Sequence, residues 1–174
     1  EAIDPLGLGF IPKSSWTSKL LSLESLHESY FGKKNNVNRR FEHKLWNALR
    51  ITSEHPNLLQ HVGVCWVSNS IIKVYKQAFA RLLKIKVVDG GLFHKQGNFT
   101  RHGFVICNEA KATAEVPDGY LADVDNRNVV LIYHKDNAFN QNSTEETISH
   151  CKWDDPSPKT RVASLKITLI QPLE

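Results

Sequence analysis

Hydrophobic positions recur with a helical period in three places along the chain, and with a two-residue period in its last third. Leu23, Leu26 and Tyr30 fall at i, i+3 and i+7 behind Ser22, which is placed to cap, and they predict a short helix over 22–30. Phe41, Leu45, Ala48, Leu49 and Thr52 share one face of the next helix and Trp46 joins the core. Glu42, His43, Asn47 and Arg50 fall elsewhere, and Pro56 closes the segment. Val62-Gly63-Val64-Cys65-Trp66-Val67 is β-branched and aromatic and reads as a strand, broken at Ser68-Asn69-Ser70 and resumed as extended chain over 71–74. Tyr75, Ala78, Phe79, Leu82 and Leu83 then turn a helix over 75–84 inward, with Lys76, Arg81 and Lys84 outward.

The next segment is weakly coded. Asp89 can cap a helix running to Phe99, but Gly90, Gly91 and Gly97 each cost it about 1 kcal/mol relative to alanine. Leu92, Phe93 and Phe99 would hold it, and the small residues would admit close approach of the backbone to a ligand. Beyond Gly103 the pattern predicts strands at 104–107, 129–133, 150–153 and 162–170, with polar loops at 116–119 and 137–146. The glycine- and proline-bearing start reads as an irregular arm over 1–21, docked through Phe10 and Trp16. The expected class is α+β: a winged helix-turn-helix core over 22–107, followed by an extended wing and β-rich region over 108–174.

Composition changes this picture little: 174 residues at 41% hydrophobic and 23% charged make one domain with a real core. The longest apolar run, Val129 to Tyr133, is five residues, far short of the roughly 20 a membrane-spanning helix needs. Three widely spaced cysteines, Cys65, Cys107 and Cys151, suit buried thiols in a reducing compartment better than a disulfide framework or a zinc ribbon. The chain starts at Glu1 and holds no methionine, which fits a piece of a longer protein. The two Asn-x-Thr triplets, at Asn98 and Asn142, would be glycosylation acceptors only in a secreted protein.

Charge changes the picture more. From Lys33 to Arg101 thirteen lysines and arginines face three acids, a net +10, while the rest of the chain carries −6. A field concentrated on one stretch suits a polyanion surface, because each phosphate neutralised releases counterions. A helix-turn-helix followed by a strand pair would put the third helix in the major groove. There His94, Lys95, Gln96 and Asn98 have base-reading chemistry, lysine toward guanine and Gln or Asn toward adenine. The loop bearing Lys33, Lys34, Asn35, Asn36, Arg39 and Arg40 is placed for phosphate or a narrowed minor groove, and Lys84, Lys86 and Arg101 for the backbone.

An enzyme finds little support: there is no Gly-x-Gly-x-x-Gly, no phosphate-binding loop and no His-Glu-x-x-His. Asp123 to Asn128 only faintly resembles a calcium loop, with Arg127 where a ligand belongs. The eight histidines show no paired ligand spacing, so neither metal, cofactor nor small-molecule substrate is expected. The competing class is a protein-interaction module whose basic face is merely solvated.

The order of particular residues narrows this further. A basic loop leads into Phe41-Glu42-His43-Lys44-Leu45-Trp46, followed by His55-Pro56-Asn57-Leu58 and Val62-Gly63-Val64-Cys65-Trp66-Val67-Ser68. Lys73-Val74-Tyr75-Lys76 then leads to Leu82-Leu83-Lys84-Ile85, and Arg101-His102-Gly103-Phe104 ends the run. Over these residues, from about Ser29 to Phe104, the chain resembles the initiator-binding domain of trichomonad core-promoter transcription factors. The resemblance implies a nuclear winged-helix domain that binds a short duplex element beside transcription start sites through its third helix and a basic loop. It also implies contact with the transcription machinery through a region outside these residues. Gly90, Gly91 and Gly97 depart from the family's Asn-rich helix, which points to a paralogue reading a different core-promoter motif. The stretch 108–146 looks like an insertion in the wing, with Lys152-Trp153 on the returning strand.

Overall fold

In the computed structural model, which describes residues 1–151, the chain opens on a strand β1 (Ala2–Ile3), a helical turn α1 (Pro5–Leu8) and a strand β2 (Leu21–Ser22) paired antiparallel with β1. Phe10 is buried, its ring meeting Trp16 edge-on at 5.0 Å, so the arm docks through the two aromatics expected to hold it. The Ser22 hydroxyl accepts from the Ser25 amide and starts α2 (Leu23–Leu26), which continues as a π-helical turn over His27–Phe31. The wider turn brings Tyr30 and Phe31 into the core together.

After the basic loop comes α3 (Phe41–Glu54), the longest element and the centre of the fold. Then follow a 3-10 turn at Pro56–Leu58, α4 (Leu59–Val62), and the hairpin of β3 (Val64–Trp66) and β4 (Ile72–Tyr75). α4 takes the start of the segment expected to be strand, and the turn at 68–70 falls where expected. The Thr52 hydroxyl donates to the Val64 carbonyl at 2.8 Å and ties α3 to β3. Thr52→Val, which leaves that buried carbonyl unpartnered, is expected to cost about 1 kcal/mol in urea unfolding.

α5 (Lys76–Leu82) follows, and then the segment expected as one helix over 89–99 appears as two, α6 (Val88–Leu92) and α7 (Asn98–Arg101). β5 (Phe104–Ile106), α8 (Glu109–Glu115), β6 (Val129–His134) and α9 (Glu145–Ser149) complete the described residues. The sheet order is β3-β4-β6-β5 with every neighbour antiparallel, so the hairpin before α5 and the strands after α7 form one sheet.

Both faces of this sheet are covered, which explains the continuous apolar run in β6. Ile72, Val74, Val130 and Ile132 face α3 and the main core, while Ile71 and Leu131 face a second cluster with Cys107, Ala112 and Val116 beneath α8. The stretch 108–146, expected as an insertion in the wing, lies between β5 and β6 over 108–128 and after β6 beyond 134. It carries α8, which covers the sheet, and the loop expected over 137–146 gives way to α9 at Glu145. His150 and Cys151 close α9 rather than start a strand, and the remaining expected strand residues, 152–153 and 162–170, lie outside the described residues.

Candidate nucleic-acid interface

The polar residues in the first two turns of α3 do not face water. Glu42, His43, Lys44 and Asn47 are all buried, and Glu42, Lys44 and Asn47 each lie against a different segment of the chain. Asn47 accepts from the Ile11 amide at 2.8 Å and donates to the Ile11 carbonyl at 2.9 Å and the Tyr30 hydroxyl at 2.8 Å, clamping the arm and the π turn to the helix. His43 accepts the Arg40 amide on Nδ1 at 3.0 Å, closing the start of α3, and burial holds its imidazole below its usual pKa. Glu42 lies 3.3 Å from His102 Nε2, at the end of α7. The His102 Nδ1 meets the Asn98 carbonyl at 2.8 Å and so carries a proton, which turns Nε2 to the carboxylate.

Lys44 reaches the basic loop, its Nζ donating to the Lys33 carbonyl at 2.6 Å. That loop is an ordered hairpin. Asn36 and Arg39 exchange backbone bonds at 3.1 and 3.0 Å, and the Asn36 side chain accepts the Asn38 amide at 2.9 Å. Arg39 folds its guanidinium back onto the Lys34 carbonyl, at 3.0 Å from Nε and 2.8 Å from Nη2. Lys33, Lys34, Asn35 and Asn36 are exposed, and Arg40 is half-buried at the start of α3.

His94, Lys95 and Gln96 lie exposed in the turn between α6 and α7, not on a continuous helix. Gly97 makes the break: a Cβ there would sit 2.4 Å from the Leu92 carbonyl carbon, so the close approach foreseen for a ligand is made by the chain itself. Asn98 donates to the Gly91 carbonyl at 3.0 Å across the break, and Arg101 bonds Gln96. Phe99, fully buried against Phe41, Phe79 and Phe104, anchors α7 to the core.

The +10 of the middle segment is thus partly spent inside the protein. Lys73 is buried and bonds the Tyr120 carbonyl at 2.7 Å and the Asp123 carboxylate, Lys76 pairs with Asp89 at 2.9 Å, Arg50 with Glu54 at 3.2 Å, and Lys84 with Glu28 at 3.0 Å. Asp125, in the stretch faintly like a calcium loop, accepts three backbone amides, which hold its carboxyl down to about 2. Among the described residues no group of three or more His, Cys, Asp or Glu is placed to hold a metal, and no helix is long and apolar enough to cross a membrane.

Residues expected from distant parts of the sequence meet at one pocket of about 340 Å3. Lys33, Lys34 and Asn35 come from the hairpin, Lys84 from the end of α5, and Asn98 from α7. Lys44 lines the same pocket and was not among the expected site residues. Its signal was in the sequence: it lies three residues after Phe41 and four before Ala48, on the edge of the buried stripe.

The family model described as the transcription-initiator DNA-binding domain matches residues 14–124. The chain belongs to this family. The initiator-binding domain is a DNA-binding family acting in transcription initiation, not a family of enzymes, and the match runs from the arm through the hairpin, α3, the strands β3 to β5 and α8, ending before β6. No curated protein and no solved structure matches the chain. The matched stretch includes α6, α7 and the pocket, so all the expected DNA contacts lie within the initiator-binding domain.

Proposed function

We propose that this initiator-binding domain is a nuclear, sequence-specific reader of a core-promoter element in duplex DNA. In this reading it is a winged helix in which α5 and the α6–α7 segment form the helix pair and β5–β6 the wing. A helix, a strand hairpin, the helices α5 to α7 and then the strands β5 and β6, with β6 lying between β4 and β5 in the sheet, support that assignment. Lys33, Lys34 and Arg40 bind phosphate, and Arg39 shapes the hairpin that carries them. Lys86 and Lys84 add backbone contacts, and His94, Lys95 and Gln96 read base edges from the α6–α7 turn, steadied by Asn98 and Arg101.

The observation that carries the reading is the meeting of hairpin and third-helix segment around one pocket, which sets phosphate anchors and candidate base readers on adjoining surface. Selection from a random duplex library is expected to enrich one motif, whose binding weakens with salt at a log-log slope of about −0.9 per phosphate contact. Lys95→Ala is expected to cost roughly 1–3 kcal/mol at one base pair, and Lys33→Ala to weaken all sequences alike. Equal, uniform losses from both would remove the turn from readout. No enrichment, with binding indifferent to salt, would leave an interaction module.

A further inference from the structure

We propose that the pocket between the hairpin, α3 and α5 seats one backbone phosphodiester of the bound duplex, with Lys44 as the cation at its floor. This rests on the reading of the domain as a duplex-DNA binder and adds a contact residue to it.

Three observations carry the inference. The pocket holds about 340 Å3, roughly ten times a water molecule's share of the liquid, which is room for a phosphate group with part of its hydration. Its charged lining is Lys33, Lys34, Lys44 and Lys84, with no carboxylate among the lining residues, and Asn35 and Asn98 supply neutral polar groups. Lys44 is 4% exposed, yet an ammonium has three donors and only one is used, on the Lys33 carbonyl. Two N–H groups are left without a partner among the described residues. A buried cation so poorly partnered is costly unless a ligand completes it.

The field around Lys44 agrees. Burial, and then the neighbouring Arg39, bring its ammonium down to about 8. The other charged groups around the pocket are Lys33 and Lys34 on the hairpin and Lys84 from the end of α5, whose Nζ is held by Glu28. A phosphate would favour the protonated form, so affinity should fall as pH rises past 8, by at most about tenfold per pH unit for one proton. Lys33 and Lys34 sit at the exposed rim and would take the outer phosphate oxygens or the next phosphate along.

The test uses the enriched duplex with single methylphosphonates, each removing one backbone charge, moved along both strands. In the wild type one position is expected to cost about tenfold or more, and in Lys44→Met that same position should be silent. Losses of the same size at every position in both proteins would overturn the seat while leaving DNA binding intact. If Lys44→Met does not fold, the wild type alone decides: the natural duplex should lose affinity between pH 7 and 9.5, and the duplex neutralised at the sensitive position should not. Persistence of the pH dependence in that duplex would overturn the proposal. If no duplex is bound at all, the DNA reading fails separately, and inorganic phosphate becomes the probe. Millimolar phosphate should then shift the backbone amide resonances of Lys33 to Asn35, and silence there would reject the seat itself.

Discussion

Replacing His102 with alanine is expected to destabilise the domain by about 3–5 kcal/mol, because it strands the Glu42 carboxylate in the core. Glu42 is 1% exposed and neither of its oxygens has a hydrogen-bond partner among the described residues, so its compensation is an imidazolium at His102, whose Nε2 lies 3.3 Å away. The pair joins the first turn of α3 to the end of α7, and its loss would loosen the segment that presents His94, Lys95 and Gln96. Discrimination between duplexes should therefore fall further than affinity for random DNA. Urea unfolding of His102→Ala in the wild-type and Glu42→Leu backgrounds checks the cause. Most of the loss should vanish where the carboxylate is already gone, and equal losses in the two backgrounds would mean that packing against Phe41 matters and the charge does not.

Asn47→Ala is expected to be of similar size, about 3–5 kcal/mol, for a different reason. It removes no charge but leaves the buried Ile11 amide and Tyr30 hydroxyl without this partner, each costing about 1–3 kcal/mol when orphaned, and leaves the Ile11 carbonyl with only the longer bond from Trp16 Nε1 at 3.3 Å. Part of that loss should be local, since this side chain and Arg50, which donates to the Leu8 carbonyl at 2.7 Å, are the polar ties of the arm to α3 among the described residues. Trypsin, acting at Lys13 and Lys19, is expected to clip the arm from the variant well before the wild type, at temperatures where both remain folded. Cleavage at equal rates would mean that the aromatic contacts of Phe10 and Trp16, with the Arg50 bond to Leu8, hold the arm without Asn47.

The elements with strong periods were legible in the sequence: α3, α5, the turn at 68–70 and the β6 strand fall where the pattern of apolar residues puts them. Two things were not. The helical period places Glu42, His43 and Asn47 off the apolar face, which ordinarily means water, yet each is buried: Asn47 bonds Ile11 and Tyr30, Glu42 lies beside His102, and His43 takes the Arg40 amide at the start of its own helix. The neighbours of Glu42 and Asn47 are distant in sequence, and no local pattern announces them. The segment over 89–99 was read as one poor helix because its glycines were charged as an energetic cost. The structure uses Gly97 to break the helix and let the two pieces approach, so the same residue that weakens the helix creates the turn. The basic residues were legible as charges but not as a surface, since nothing in the sequence says that Lys73 and Lys76 are committed to Asp123 and Asp89.

The hairpin from Lys33 to Arg40 carries one more consequence. Freezing a residue's backbone costs about 1–2 kcal/mol of conformational entropy, and many DNA-binding arms incur that at the moment of docking. Here the Asn36–Arg39 bridge, the Arg39 guanidinium on Lys34 and the Lys44 ammonium on Lys33 fix the segment from within the protein. Its ordering is complete once the chain has folded, so the attraction of its cations goes into holding the duplex and not into shaping the loop.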